Sequence, residues 1–174
     1  MTMSDLRIRL IPGLSLALLV LILDQLSKWW IVERVMAPPQ VIEVTSFFNL
    51  VMVWNRGVSF GLFDSGGDYS VWILSGLAMV IVMVLAVWMG RSERGGLNLL
   101  LGLIIGGAIG NVIDRFRYGA VADFLDVHMG GLHWPAFNVA DSAITVGAIL
   151  LVADSLFGGE ESLTNKDETG SDRS

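Results

Sequence analysis

Two aspartates, Asp123 and Asp141, are the residues of this sequence best placed to do chemistry. Asp141 stands in Phe137-Asn138-Val139-Ala140-Asp141-Ser142, at the head of an apolar segment, and Asp123 stands 18 residues earlier in Val121-Ala122-Asp123-Phe124. Two carboxyl groups brought together in a low-dielectric site cannot both ionise easily, so they share one proton. One can then activate a water molecule while the other protonates a carbonyl oxygen. This chemistry is peptide hydrolysis without a metal or a covalent intermediate.

Each acid also has a purely structural interpretation. Asn138 followed by Asp141 fits a helix N-cap with an acid at the third helical position, a variant of the capping box. An acid in the first turn also suits the helix dipole. Asp123 is open to interpretation as a solvated loop acid. The two interpretations of Asp141 are compatible, since a cap fixes where the carboxylate points.

Further polar residues lie inside or at the edges of apolar segments: Asp24, Lys28, Asn111, Asp114, Arg115 and Asn138. If all four acids of this set and of the pair above faced lipid, the cost would be about 10–14 kcal/mol, at the usual 2.5–3.5 kcal/mol each. The four are Asp24, Asp114, Asp123 and Asp141. That cost is as large as the whole stability of a typical domain. We therefore predict that these side chains converge at one membrane face. Asp24 and Lys28, four residues apart with the acid first, suit a helical ion pair. A purely structural role for that pair, and for a pair of Asp114 with Arg115, is the alternative.

The composition is that of a membrane protein. Of the 174 residues, 53% are hydrophobic and 16% are charged, whereas soluble domains carry about 25% charged residues. The chain has no cysteine, which excludes disulfides and thiolate catalysis. Its net charge of −6 comes without a basic patch, so we expect no nucleic-acid partner.

Hydropathy predicts an all-α membrane fold with four transmembrane helices, at about 10–32, 69–90, 95–114 and 137–157. The loop 33–68 contains a β-rich stretch, 41–54, which predicts one or two strands of a small sheet close to the membrane. The loop 115–136 carries Asp123. Residues 1–157 form one domain, and the acidic tail 158–174 is predicted to be disordered. Gly102, Gly106 and Gly110 are spaced for close helix contact in lipid.

The distribution of arginine and lysine sets the expected orientation. Short segments rich in arginine favour the cytoplasmic side, and such segments lie at the N-terminus and at 91–94. We expect both termini in the cytoplasm and the two long loops outside, with the two aspartates at the outer face.

His128 and His133, with Asp126 nearby, raise the alternative of a metal site. Their spacing within a glycine-containing loop matches no helical metalloprotease signature, so we expect no metal and no cofactor. A serine–lysine pair of Ser27 and Lys28 fails because adjacent helical residues do not face each other.

Five stretches in a fixed order resemble lipoprotein signal peptidase, or signal peptidase II, a bacterial inner-membrane family of aspartic proteases. The stretches are Leu23-Asp24-Gln25-Leu26-Ser27-Lys28, Asn55-Arg56-Gly57, Gly106-Gly107-Ala108-Ile109-Gly110-Asn111-Val112-Ile113-Asp114-Arg115, Val121-Ala122-Asp123-Phe124 and Pro135-Ala136-Phe137-Asn138-Val139-Ala140-Asp141-Ser142. Each is weak alone, but five in order are a strong signal. They run from the first span to the fourth, so the resemblance covers nearly all of the chain except the tail.

The resemblance implies four transmembrane helices and a small periplasmic sheet that cradles the site. It implies cleavage of prolipoprotein signal peptides just before a diacylglyceryl-modified cysteine, and inhibition by globomycin. We expect the enzyme to be a monomer. Asp123 and Asp141 match the catalytic pair. The positions matching substrate-binding or supporting residues are Asn55, Gly57, Asn111, Asp114, Arg115, Asn138, Asp24 and Lys28.

One departure concerns the residues after Gly57, where the family usually has two alanines and this chain has Val58 and Ser59. We expect it to affect substrate fit rather than the chemistry. Two other functions are rivals. A small transporter or proton-relay protein would show internal repeats and broken helices, which the sequence lacks. A scaffold assembled through the glycine face would leave the polar cluster unexplained.

Overall fold

Four long helices carry the fold of the part described by the computed structural model, residues 3–57 and 69–157. They are α1 (Met3–Trp30), α2 (Tyr69–Arg91), α3 (Gly95–Tyr118) and α4 (Val139–Phe157), and α1 continues into a π-helical turn, Ile31–Val35. All four are long and apolar enough to cross a membrane, over Arg9–Val35, Val71–Arg91, Gly95–Tyr118 and Val139–Phe157. The prediction of four helices that could span a membrane is confirmed.

Several predicted boundaries are wrong by a few residues. Helical structure at the first span reaches Val35 rather than 32, and α3 passes 114 and ends at Tyr118. The charged residues at 114 and 115 suggested a helix end, but their side chains find partners inside the protein, so the helix continues. Gly119 caps the C-terminus of α3: its backbone is left-handed (φ 70°), and its N–H donates to the Arg115 carbonyl. The fourth helix begins at Val139 rather than 137.

Helix α3 is the centre of the bundle: 67% of the residues in its most apolar 18-residue stretch are buried, against 11–22% in the other helices. Small residues make this possible. A Cβ at Gly102 or Gly106 would collide with the backbone of α1, at Gly13 and Ala17 respectively, and a Cβ at Gly110 would collide with the Asp24 carboxylate. The predicted close approach through these glycines is confirmed, and it brings α1 and α3 near enough for their polar side chains to meet.

A four-stranded antiparallel sheet caps one end of the bundle, in the order β1 (Ile42–Thr45), β2 (Phe48–Asn55), β3 (Val121–Met129) and β4 (Leu132–His133). The strands predicted within 41–54 are confirmed as β1 and β2. The assignment of 115–136 as a loop is wrong, because β3 and β4 lie within it. Strand β3 begins as a fully buried run, so it lacks the polar–apolar alternation that marks a half-exposed strand.

Strand pairing places the loop aspartate beside a distant part of the chain. Val53 pairs with Asp123, and Asn55 pairs with Val121. After β4 the chain returns to β3, where Phe137 exchanges backbone hydrogen bonds with Leu125. This return places the start of α4 directly beside Asp123. The predictions for Val58, Ser59, the rest of the loop to 68 and the tail 158–174 lie outside the described residues.

The glycine contacts yield a test of the packing. Gly106→Ala should lower the thermal unfolding midpoint in detergent, because its new methyl group meets the α1 backbone, and overpacking typically costs about 1–3 kcal/mol. Gly76→Ala in α2 is the matched control, since a Cβ there meets nothing within 4 Å. Equal midpoints for the two variants would contradict the packing described.

Candidate active site

Asp123 is the more deeply buried of the two candidate catalytic acids, with only 1% of its surface exposed. Both of its oxygens accept hydrogen bonds from amide side chains: Asn55 Nδ2 donates to Oδ2 at 3.0 Å, and Asn138 Nδ2 donates to Oδ1 at 2.7 Å. Asn55 is held in turn by the Gly57 N–H, which donates to Asn55 Oδ1 at 3.0 Å. Because Asn55 Oδ1 is engaged there, its NH2 group faces Asp123.

The Asn138–Asp141 segment forms the predicted capping box. Asn138 Oδ1 accepts the Asp141 N–H at 2.9 Å, and Asp141 Oδ2 accepts the Asn138 N–H at 3.3 Å. The cap thus engages Asn138 Oδ1 and Asp141 Oδ2. Asn138 Nδ2 remains available and donates to Asp123. One asparagine therefore caps α4, holds Asp141 and contacts the other acid.

Asn111 of α3 is the second bridge between the two acids. Its Nδ2 donates to Asp141 Oδ1 at 2.8 Å, while its Oδ1 accepts from Lys28 Nζ at 2.9 Å and from Asn138 Nδ2 at 3.3 Å. Within the described residues no hydrogen bond joins Asp123 to Asp141 directly; the amides of Asn111 and Asn138 link them. The two carboxyl groups are therefore connected through amide side chains rather than by a hydrogen bond of their own.

Lys28 lies beneath this layer, 1% exposed, with two buried acids as partners. Its ammonium lies 2.9 Å from Asp24 Oδ2 and 2.8 Å from Asp114 Oδ2. The predicted Asp24–Lys28 pair is confirmed. Asp114 belongs to the same ion-pair cluster, so its expected pairing with Arg115 is wrong: α3 turns Asp114 toward α1.

Arg115 lies at the other side of the cluster. Its Nη1 donates to the Asn111 carbonyl at 3.3 Å, and its Nε is buried without a partner among the described residues. Arg115 lies within electrostatic range of Asp141, Asp114 and Asp123. It supplies positive charge to the site without a close ion pair.

Gln25 is a site residue that the sequence did not single out. Its Nε2 lies 3.1 Å from Asp24 Oδ2, 3.0 Å from Asp114 Oδ1 and 3.2 Å from the Gly110 carbonyl. A glutamine beside an acid on an apolar helix was the available signal. Only the rotation of α1 against α3 shows that it bridges two acids.

The charges in this cluster do not balance. Four carboxyl groups face two cations: Asp24, Asp114, Asp123 and Asp141 against Lys28 and Arg115. The pKa of Asp123 is raised to about 6, chiefly by burial; the hydrogen bond from Asn55 opposes this rise, and the charge of Asp141 adds to it. Asp123 is therefore the acid outside the membrane spans that is poised to hold a proton near neutral pH.

The two histidines form a separate cluster on the β3–β4 hairpin. Their rings stack with centroids 4.8 Å apart, and His133 Nδ1 lies 2.9 Å from both oxygens of Asp126. The contact with His133, assisted by the amide of Asn49, holds the pKa of Asp126 below its ordinary value. Among residues 3–57 and 69–157, no group of three or more histidine, aspartate or glutamate side chains could hold a metal ion.

Asn138 offers a test that separates capping from contact with Asp123. Asn138→Ser keeps an oxygen for the cap, so stability should hold, but it removes the donor to Asp123 and should impair the activity of the site. Asn138→Ala removes both and should also cost about 0.5–2 kcal/mol of stability. Thermal unfolding and turnover should be measured together. Full activity in the serine variant would show that the contact with Asp123 is dispensable.

Comparison with known proteins agrees with this geometry. The family model for signal peptidase II matches residues 16–157. A lipoprotein signal peptidase of Paraburkholderia phytofirmans is 49% identical over 150 residues, covering 84% of this chain and 86% of that protein. One of Burkholderia vietnamiensis is 48% identical over 148 residues, covering 84% of this chain and 89% of the relative.

Solved structures show the same fold. A bacterial membrane enzyme solved by the in meso method at 2.3 Å resolution superposes with a TM-score of 0.71 at 28% identity, covering 93% of this chain and 92% of that one. A second, at 1.9 Å resolution, gives 0.70 at 30% identity, covering 83% and 92%. The convergent acids, the four spans and these likenesses lead to one conclusion: this chain belongs to the signal peptidase II family.

Proposed function

We propose that this protein is a membrane aspartic endopeptidase that removes the signal peptide from diacylglyceryl-modified prolipoproteins, cleaving on the N-terminal side of the lipidated cysteine. The observation that carries the proposal is the pair of acids Asp123 and Asp141, bridged by Asn111 and Asn138 at the sheet end of the bundle. Family membership supports the substrate class. A lipid-anchored substrate also gives a reason for acids at a membrane face, where water can still enter.

The two acids have different environments, and we assign them different roles. Asp141 sits in the first turn of α4, where the helix dipole favours negative charge, and it accepts hydrogen bonds at both oxygens. We assign it as the general base that removes a proton from the attacking water. Asp123, with its raised pKa, is the general acid that protonates the carbonyl oxygen of the scissile bond. As the C–N bond of the tetrahedral intermediate breaks, Asp141 passes its proton to the leaving amine, and Asp123 recovers its proton from the hydroxyl group that becomes the new carbonyl. The signal peptide is released with a new carboxyl terminus, and both acids return to their starting states.

The remaining residues of the site hold this pair in place. Asn55, positioned by Gly57, and Asn138 orient Asp123, whereas Asn111 orients Asp141. Arg115 supplies positive charge near both acids. Asp24, Lys28 and Asp114 support the site from inside the bundle, and no step of the proposed reaction uses a metal or cofactor.

The proposed orientation places both termini in the cytoplasm and the sheet, with the two aspartates, at the periplasmic face of the inner membrane. The substrate's acyl chains then stay in lipid while its peptide bond reaches the acids. We further propose that residues 1–157 act as one monomeric peptidase domain, that 158–174 lies in the cytoplasm, and that globomycin inhibits the enzyme.

Replacing either acid tests the dyad. Asp123→Asn and Asp141→Asn should each lower the cleavage rate of a diacylglyceryl-modified prolipoprotein by about 10²–10⁴-fold, the usual contribution of general acid–base catalysis. Asp126→Asn is the matched control, an acid on the same strand that binds Asn49 and His133 instead. A chelator should leave turnover unchanged. Near wild-type turnover in both dyad variants would falsify the proposal.

The pH profile tests the assignment of Asp123 as the acid. Its protonated fraction falls as pH rises through about 6, so kcat/KM should fall on the alkaline side with an apparent pKa in that region, a value belonging to the coupled pair. The Asn55 hydrogen bond lowers the Asp123 pKa, so Asn55→Ala should move this limb to higher pH. Asn49→Ala, which affects Asp126, should not move it. A limb that moves to lower pH in the Asn55 variant contradicts the assignment.

A further inference from the structure

Two buried acids hold the backbone immediately before each candidate catalytic acid. Asp24 Oδ1 accepts the N–H of Ala140, the residue preceding Asp141, at 3.0 Å. Asp114 Oδ2 accepts the N–H of Ala122, the residue preceding Asp123, at 3.2 Å. The two supports come from different helices, α1 and α3, but they act on the chain at equivalent points.

A single ammonium group joins these two supports. Lys28 Nζ lies 2.9 Å from Asp24 Oδ2 and 2.8 Å from Asp114 Oδ2, and all three residues are at most 1% exposed. Gln25 Nε2 spans the same two acids, at Asp24 Oδ2 and Asp114 Oδ1. Charge-assisted hydrogen bonds of this kind are short and strong where water is excluded. Asp24 and Asp114 therefore cannot separate without breaking a buried ion pair.

We propose that Lys28 is a positioning residue that sets the separation of Asp123 and Asp141, by clamping Asp24 and Asp114 and, through them, the backbone before each catalytic acid. This inference rests on the proposed function and adds to it the origin of the dyad's spacing. Only the backbone of one alanine, with its φ and ψ angles, and one planar peptide unit separate each supported N–H from the Cα of its catalytic residue. A shift of the clamp is therefore passed on to the carboxyl groups.

The clamp also fixes one amide of the site. Lys28 Nζ can only donate, so Asn111 must present Oδ1 to it, at 2.9 Å. The Asn111 NH2 group is thereby turned to Asp141, where it donates at 2.8 Å. Lys28 thus acts on Asp141 by two routes, through Asp24 and Ala140 and through Asn111, without touching the catalytic carboxylate.

Lys28→Arg is the decisive variant, because it keeps the charge and the donors but enlarges the group between the two acids. We expect kcat on a diacylglyceryl-modified prolipoprotein to fall, toward the about 10²-fold loss that a misplacement of about 1 Å can cause, with KM unchanged. The larger group is also expected to lower the unfolding midpoint, so the loss of kcat is judged against a control that loses stability elsewhere. Asp114→Asn tests the β3 side of the clamp on its own and should also lower kcat without raising KM.

Asn98→Ala is the matched control. Asn98 is fully buried in α3 and donates to the Arg9 carbonyl of α1 at 3.0 Å, near the opposite end of the bundle. Its loss should lower the unfolding midpoint and leave kcat unchanged. Positioning predicts that the clamp variants lose much more kcat than Asn98→Ala at a comparable loss of stability, whereas a merely structural role predicts that kcat follows stability in both kinds of variant.

Two outcomes overturn the inference. One is wild-type kcat in Lys28→Arg and Asp114→Asn. The other is a fall in kcat that only follows the loss of stability, as judged against Asn98→Ala. Both leave the proposed function intact, provided that the wild-type enzyme cleaves and Asp123→Asn does not. Failure of the wild-type enzyme to cleave the substrate would instead reject the function itself.

Discussion

The burial of the Lys28 ammonium between Asp24 and Asp114 is the constraint on which the rest of the structure depends. Removing charged groups from water costs several kcal/mol per ion, and only close partners with satisfied hydrogen bonds offset this cost. Lys28 has such partners on α1 and α3, and the acids in turn accept N–H groups from α4 and β3. Four elements must therefore meet at one point for the charges to be tolerated, and glycines on α3 allow them to approach that closely.

The candidate catalytic acids lie just above this buried layer and differ from it in one respect. The lower acids form ion pairs with Lys28, whereas Asp123 accepts hydrogen bonds from two amide groups and has a second acid nearby. Burial then raises its pKa to about 6 instead of fixing it as an ion. The acid that is poised to take up and release a proton is thus the one that has no ammonium partner, as acid–base hydrolysis needs.

Local signals in the sequence predicted part of this arrangement. Long apolar runs predicted the four helices. The spacing of Asn138 and Asp141 predicted a capping box, which the hydrogen bonds confirm. The cost of burying acids predicted that they converge. These inferences depend on composition, on short-range geometry or on the free-energy cost of burying charged groups, which applies to every fold.

Long-range geometry explains what the sequence did not show. Strand β3 pairs with β2, some 70 residues away, and a buried strand carries no alternating pattern, so 115–136 looked like a loop. The partner of Asp114 depends on the rotation of α3 against α1, which favours Lys28 over the adjacent Arg115. Gln25 became a site residue for the same reason. The family resemblance named residues that the structure brings together, but not which of them touch.

The central claim is that Asp123 and Asp141 activate water rather than attack the peptide bond themselves. A single turnover in water enriched in the heavy oxygen isotope, with enzyme in excess over diacylglyceryl-modified prolipoprotein, tests it directly. The account predicts that the new carboxylate of the released signal peptide carries the label and that the enzyme does not. An unlabelled product, with label later appearing on Asp123 or Asp141, would show a covalent intermediate and contradict it.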